Sequence, residues 1–80
     1  MLVGYVSDER FSALPDVLLE FESQQGSVEA RSRASGAVYA DLPPGNCRVT
    51  ITKPGFGGKR ATITIGEGPP HHFQIGRAHV

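Results

Sequence analysis

The sequence predicts a small all-β protein: a seven-stranded sandwich with Greek-key connections, or a small barrel built from the same strands. Three observations carry this expectation. Helical periodicity is nearly absent, so no stretch offers the apolar stripe that a surface helix buries. Seven short runs instead alternate apolar and polar residues, the period-two pattern of half-buried strands. Each run is bounded by Gly, Pro, Ser, Asp or Asn, the residues that build turns.

The first strand is read over Leu2 to Ser7, with Leu2, Gly4 and Val6 on one side and Val3 and Tyr5 on the other. A polar loop with two apolar anchors follows from Asp8 to Asp16, and Pro15 blocks any ladder there. The second strand spans Val17 to Ser23, with Val17, Leu19 and Phe21 inward. After the turn Gln24-Gln25-Gly26, the third runs from Ser27 to Arg33. It is the least apolar, and its charges suit an edge position.

Ala34-Ser35-Gly36 turns into the fourth strand, Ala37 to Leu42, with Val38, Ala40 and Leu42 inward. Pro43-Pro44-Gly45 makes the next turn: proline pre-sets one backbone angle and glycine tolerates a positive one. The fifth strand, Asn46 to Lys53, alternates most clearly, with Cys47, Val49 and Ile51 inward. The loop Pro54-Gly55-Phe56-Gly57-Gly58 can lay one aromatic ring over the end of the core. The sixth strand is Lys59 to Ile65, with Ala61, Ile63 and Ile65 inward. Gly66 to Pro70 turns the chain into a last strand from His71 to Gln74.

Composition narrows the function classes. Eighty residues hold one small domain. The formal net charge is zero, and −1 without Arg77. No basic excess recommends nucleic acid as a partner, and no apolar stretch approaches the length of a membrane span. The N-terminus lacks the basic flank and long apolar stretch of a secretory signal, so a cytoplasmic location is the expectation. Cys47 is the single cysteine, which excludes an internal disulfide.

The last six residues, Ile75 to Val80, read as foreign to the chain. The codons ATC-GGA-AGA-GCA-CAC-GTC encode them, and the next triplet of that string is the stop TGA. The string looks like the adapter ligated to DNA fragments for short-read sequencing, and Gln74 fits the same frame. The expected organisation is therefore a β-sandwich module over 1–74 and a non-native tail over 75–80. The natural protein is expected to continue past Phe73.

A family pattern runs through the module. Gly4-Tyr5-Val6, Leu14-Pro15-Asp16-Val17, Gly36, Leu42-Pro43-Pro44-Gly45, Val49, Ile51 and Lys53-Pro54-Gly55-Phe56 fall in order. Together they resemble the carboxypeptidase regulatory-like, or transthyretin-like, β-sandwich module across about residues 2–73. The most specific part is the Leu-Pro-Pro-Gly turn, the alternating strand after it, and Lys-Pro-Gly-Phe. Where that family usually carries tyrosine this chain has Cys47, whose smaller side chain is expected to under-fill the core. The opening stretch is also similar to the start of proteins related to the large subunit of N,N-dimethylformamidase. That resemblance implies a small β-module ahead of a large body that hydrolyses an amide with a bound metal. No residue here matches that metal site, so no catalytic, cofactor-binding or metal-binding residue is carried over.

Several residues invite a chemical reading. His71 and His72 are adjacent on a strand, point to opposite faces and are poorly placed to chelate one metal; His79 lies in the suspect tail. Cys47 has no histidine near it in sequence and reads as a buried, inert thiol. Gly55 to Arg60 lacks the glycine spacing and following helix of a phosphate loop, although Lys53, Lys59 and Arg60 could gather beside it. Asp8, Glu9 and Asp16 match no calcium-loop spacing. The Tyr-Arg-Gly-Ser ending of the small purine-pathway hydrolase with a transthyretin-like fold is absent.

The expected function is therefore a non-catalytic accessory module without a cofactor, packing on the rest of its parent chain or a partner subunit, with no nucleic acid and no membrane. The alternative is a binding or spacer module of a secreted or surface protein, contacting carbohydrate or protein. For sugar stacking, the candidates are Tyr5, Phe11, Tyr39 and Phe56. A stand-alone small enzyme of transthyretin type is the third reading.

Overall fold

The computed structural model describes residues 1–66 and 68–77; Glu67 and Ala78, His79 and Val80 lie outside it. Its elements are β1 (Leu2–Ser7), β2 (Leu18–Ser23), β3 (Gly26–Arg31), β4 (Ala37–Tyr39), β5 (Gly45–Thr52), β6 (Lys59–Ile65) and β7 (His71–Gln74). They form a three-stranded sheet in the order β4-β1-β7 and a four-stranded sheet in the order β3-β2-β5-β6. The protein is an all-β, two-sheet sandwich. Hairpins join β2 to β3 and β5 to β6; the other connections pass from one sheet to the other.

The four-stranded sheet follows the sequence pattern closely. Leu19 stands opposite Ala30 and Ile51, Phe21 opposite Val28 and Val49, and Cys47 opposite Ile63. Paired residues share a face, so these rows build one apolar surface. Val3, Val6, Val38 and Phe73 meet it from the other sheet. Phe21, Leu19, Ile51, Val6, Val17, Val38 and Val49 are fully buried. Each such side chain contributes about 1.5–3 kcal/mol.

Three local departures from the expected alternation have physical causes. Val3 is buried although strand parity puts it on the side opposite Val6. Leu2 pairs with Tyr39 and Gly4 with Val38, so β1 carries one extra residue there and the bulge turns Val3 inward. β4 stops at Tyr39, and Ala40 and Leu42 are only partly buried. Its partner β1 runs out at the same point: beyond the ladder, the Ala40 amide donates to the Met1 carbonyl. β3 ends at Arg31 because the next rung is irregular: the Ser32 amide still donates to the Val17 carbonyl at 3.0 Å, but the Ser32 carbonyl accepts from the Asp16 amide at 2.9 Å and not from Val17. The Val17 amide donates to Ser32 Oγ at 2.9 Å, and Ser32 Oγ donates to the Leu14 carbonyl at 2.7 Å.

The pairing of β1 with β7 is parallel, in register from Gly4–His71 to Ser7–Gln74. It continues beyond β7, where the Ile75 amide donates to the Ser7 carbonyl at 3.0 Å. Ile75 is 2 % exposed and joins the core. Gly57 then donates to the Gly76 carbonyl at 2.8 Å, and Phe56 bridges to Arg77. The segment from Ile75 to Arg77 thus packs against β1 and the loop of Phe56. Phe56 lies partly buried against the core, as its Pro-Gly turn suggests.

Candidate functional site

Strand parity gives the two outer faces of the sandwich different chemistry. On the four-stranded sheet, Glu22 stands opposite Arg48 and Ser27, Glu20 opposite Glu29 and Thr50, Arg48 opposite Thr62, and Thr50 opposite Arg60. This is a mixed-charge surface that water solvates well. The outer face of the three-stranded sheet carries aromatic rings instead. Val6, Val38 and Phe73 point into the core, so their strand neighbours Tyr5, Tyr39 and His72 point out. Tyr5 is paired with His72 on one side and Ala37 on the other, which makes Tyr39 its diagonal neighbour.

Phe11 extends the row. It is 73 % exposed, and its ring stacks on His72 with centroids 5.6 Å apart. Its backbone has φ 63°, a region that a bulky side chain occupies only under strain. A tight loop imposes that angle. Asp8 Oδ1 accepts from the amides of Arg10 at 2.8 Å and Ser12 at 3.0 Å. The Phe11 amide donates to the Asp8 carbonyl, and the Asp8 amide to the Ser12 carbonyl. His72 is fixed in turn, its Nε2 hydrogen-bonded to Ser7 Oγ at 2.7 Å. At the far end, the Arg33 guanidinium lies 4.2 Å from the centre of the Tyr39 ring, a cation–π contact. Gln74 donates from Nε2 to the Asp8 carbonyl at 3.2 Å, tying β7 to the same loop.

The other residues singled out from the sequence are dispersed. His71 turns away from His72 and reaches β6, with Nε2 3.1 Å from the Thr64 carbonyl. Cys47 is buried, and desolvation raises its thiol pKa above the ordinary value. An open cleft lined by Glu22, Ser23, Gln24, Asn46, Arg48 and Thr62 runs beside it. Lys53 donates to the Pro15 carbonyl and Lys59 to the Gln74 carbonyl, while Arg60 shares a row with Thr50, so the three cations do not gather. Asp8 caps its own loop, Glu9 lies against Gly76, and Asp16 pairs with Arg31 at 3.5 Å. Among the described residues, no three His, Cys, Asp or Glu side chains are grouped to hold a metal ion. No helix of the described residues is long and apolar enough to cross a membrane.

The sequence offers Tyr5, Phe11, Tyr39 and Phe56 as aromatic candidates without joining them; Phe56 packs against the core, away from the other three. His72, read only as half of a histidine pair, supplies the link between Phe11 and the sheet. No protein-family model matches the chain, and no curated protein matches it.

Proposed function

We propose that this chain is a non-catalytic β-sandwich module that serves a larger protein by making contacts, packing on a catalytic body or a partner subunit. The observation that carries the reading is the concentration of Tyr5, Tyr39 and Phe11, at 43 %, 44 % and 73 % exposure, on one face of one sheet. Rings held there against solvent are suited to contact. The groups with chemical potential are used locally instead: Cys47 in the core, Asp8 in its loop, and the lysines on backbone carbonyls.

The resemblance of the opening stretch to N,N-dimethylformamidase large-subunit proteins supports a cytoplasmic amide hydrolase as the parent. The test is the uninterrupted gene. The expected result is a reading frame that continues past Phe73 into a large hydrolase body; a natural stop codon at that point overturns the accessory role.

A second reading, a binding module of a secreted or surface protein, is favoured by the same exposed rings. In-frame sequence upstream of Met1 encoding a signal peptide would decide for it and against the cytoplasmic parent.

A further inference from the structure

The geometry points to a neutral glycan as the ligand of the outer face of the three-stranded sheet. This inference rests on reading the chain as a contact module, and it names what the face contacts.

The first argument is charge. The strands of this face expose Tyr5, Tyr39 and His72 and, in part, Leu2 and Gln74, with Ser7 and Ala37 buried between them and no carboxylate among them. Arg33, at the β4 edge, is engaged over the Tyr39 ring. The opposite outer face carries Glu20, Glu22, Glu29, Arg48 and Arg60. The strand part of the face is uncharged and suits an uncharged ligand, while Glu9 and Arg10 stand in the loop that carries Phe11. Planar rings interleaved with hydroxyl, imidazole and amide groups suit a ligand with apolar ring faces and hydroxyl edges, which is the chemistry of a sugar chain.

The second argument is size. Three strands spaced by about 4.8 Å, along a β1 of six residues rising about 3.3 Å each, make a face of roughly 300 Å². A stable protein–protein contact needs about 800 Å² from each partner. By itself the face is too small to hold a freely associating second copy, whereas a catalytic body tethered in the same chain needs no such area, and it is long enough for a short run of sugar rings.

The third argument is preorganisation. Phe11 is bulky, strained at φ 63° and 73 % exposed. The loop hydrogen bonds and the His72 stack hold the ring in the strip before any ligand arrives. A rigid aromatic placed in advance loses little freedom on binding.

The test uses the 80-residue chain and isothermal titration with neutral cello-, xylo-, manno- and malto-oligosaccharides. The expected result is saturable binding to at least one series, weakened about tenfold or more by Phe11→Asn and by Tyr5→Ala. Arg48→Ala, on the opposite face, leaves it unchanged. Asn accepts the left-handed backbone at position 11, so that variant removes the ring without endangering the fold. Absence of binding to all four series overturns the inference, as does binding that is indifferent to both ring substitutions. Concentration-dependent dimerisation that Tyr5→Ala abolishes also overturns it, by assigning the face to self-association. Retention of the chain by a hydrolase body, without glycan binding, overturns the glycan and leaves the contact-module reading standing.

Discussion

Ser32→Ala tests whether one hydroxyl holds the crossover into β2 and, through it, the loop that presents Phe11. Ser32 is 6 % exposed, and its Oγ both donates to the Leu14 carbonyl at 2.7 Å and accepts from the Val17 amide at 2.9 Å. Val17 is completely buried, so water cannot replace the lost acceptor. Losing the bond to Leu14 at about 0.5–1.5 kcal/mol and leaving the buried Val17 amide unpaired at about 1–3 kcal/mol give a destabilisation of roughly 2–4 kcal/mol. At about 4–8 °C per kcal/mol for a domain of this size, the melting temperature should fall by roughly 10–30 °C. Circular dichroism melts and urea titrations of the wild type and the variant measure this. Ser27→Ala, at an exposed position on β3, serves as a control expected within about 0.5 kcal/mol of wild type. A Ser32→Ala protein that melts with the control would refute the pin.

Three further outcomes are expected. A Cβ at Gly4 would lie 2.9 Å from the His71 carbonyl carbon, closer still to its oxygen, and 3.0 Å from Phe73 Cε2; Gly4→Ala should cost roughly 2–4 kcal/mol and strip amide-exchange protection from β7, and a wild-type melt would deny the parallel pairing. Ile75→Ala should cost about 2–5 kcal/mol, because the side chain is 2 % exposed in the core, and a loss under about 1 kcal/mol would place it outside. Burial raises the Cys47 thiol above its ordinary 9.0, so the folded state keeps a proton that the unfolded chain releases. The associated stability is intact below about pH 9 and is lost as pH rises through the raised value. The pH–stability curve of Cys47→Val should therefore fall less steeply above that point, and parallel curves would contradict the buried thiol.

The parts of the fold legible in the sequence are those set by local alternation. β6 spans Lys59–Ile65 as its pattern states, and Leu19, Phe21, Val49, Ile51 and Ile63 face inward as their parity requires. The features that escaped depend on partners far away in sequence. Val3 turns inward because β4 opposes β1 with one residue fewer, and no reading of β1 alone contains that mismatch. The parallel β1–β7 pairing joins the two ends of the described chain, where no turn signal marks it. The packing of Ile75 follows from the extension of that pairing, which local alternation does not contain.

The aromatic face was legible as a set of residue types and not as a place. An apolar residue in a polar loop reads as an anchor. Leu14 behaves so, at 8 % exposure, while Phe11 is turned outward by the hydrogen bonds of Asp8. Its stacking partner His72 lies on the last strand, and only the β1–β7 ladder brings the two together. The adjacency of His71 and His72 suggested a shared role. The strand separates them, one toward Thr64 on β6 and the other toward Ser7 and Phe11.

The central claim is that the two outer faces divide the labour, with the three-stranded sheet making contact and the four-stranded sheet facing solvent. Amide chemical-shift mapping of the 80-residue chain, titrated with neutral oligosaccharides, tests it most directly. The account predicts perturbations clustered at Tyr5, Phe11, Tyr39 and His72, with Glu22, Arg48 and Thr62 unmoved. Perturbations centred on Glu22, Arg48 and Thr62, or none at saturating ligand, would contradict it.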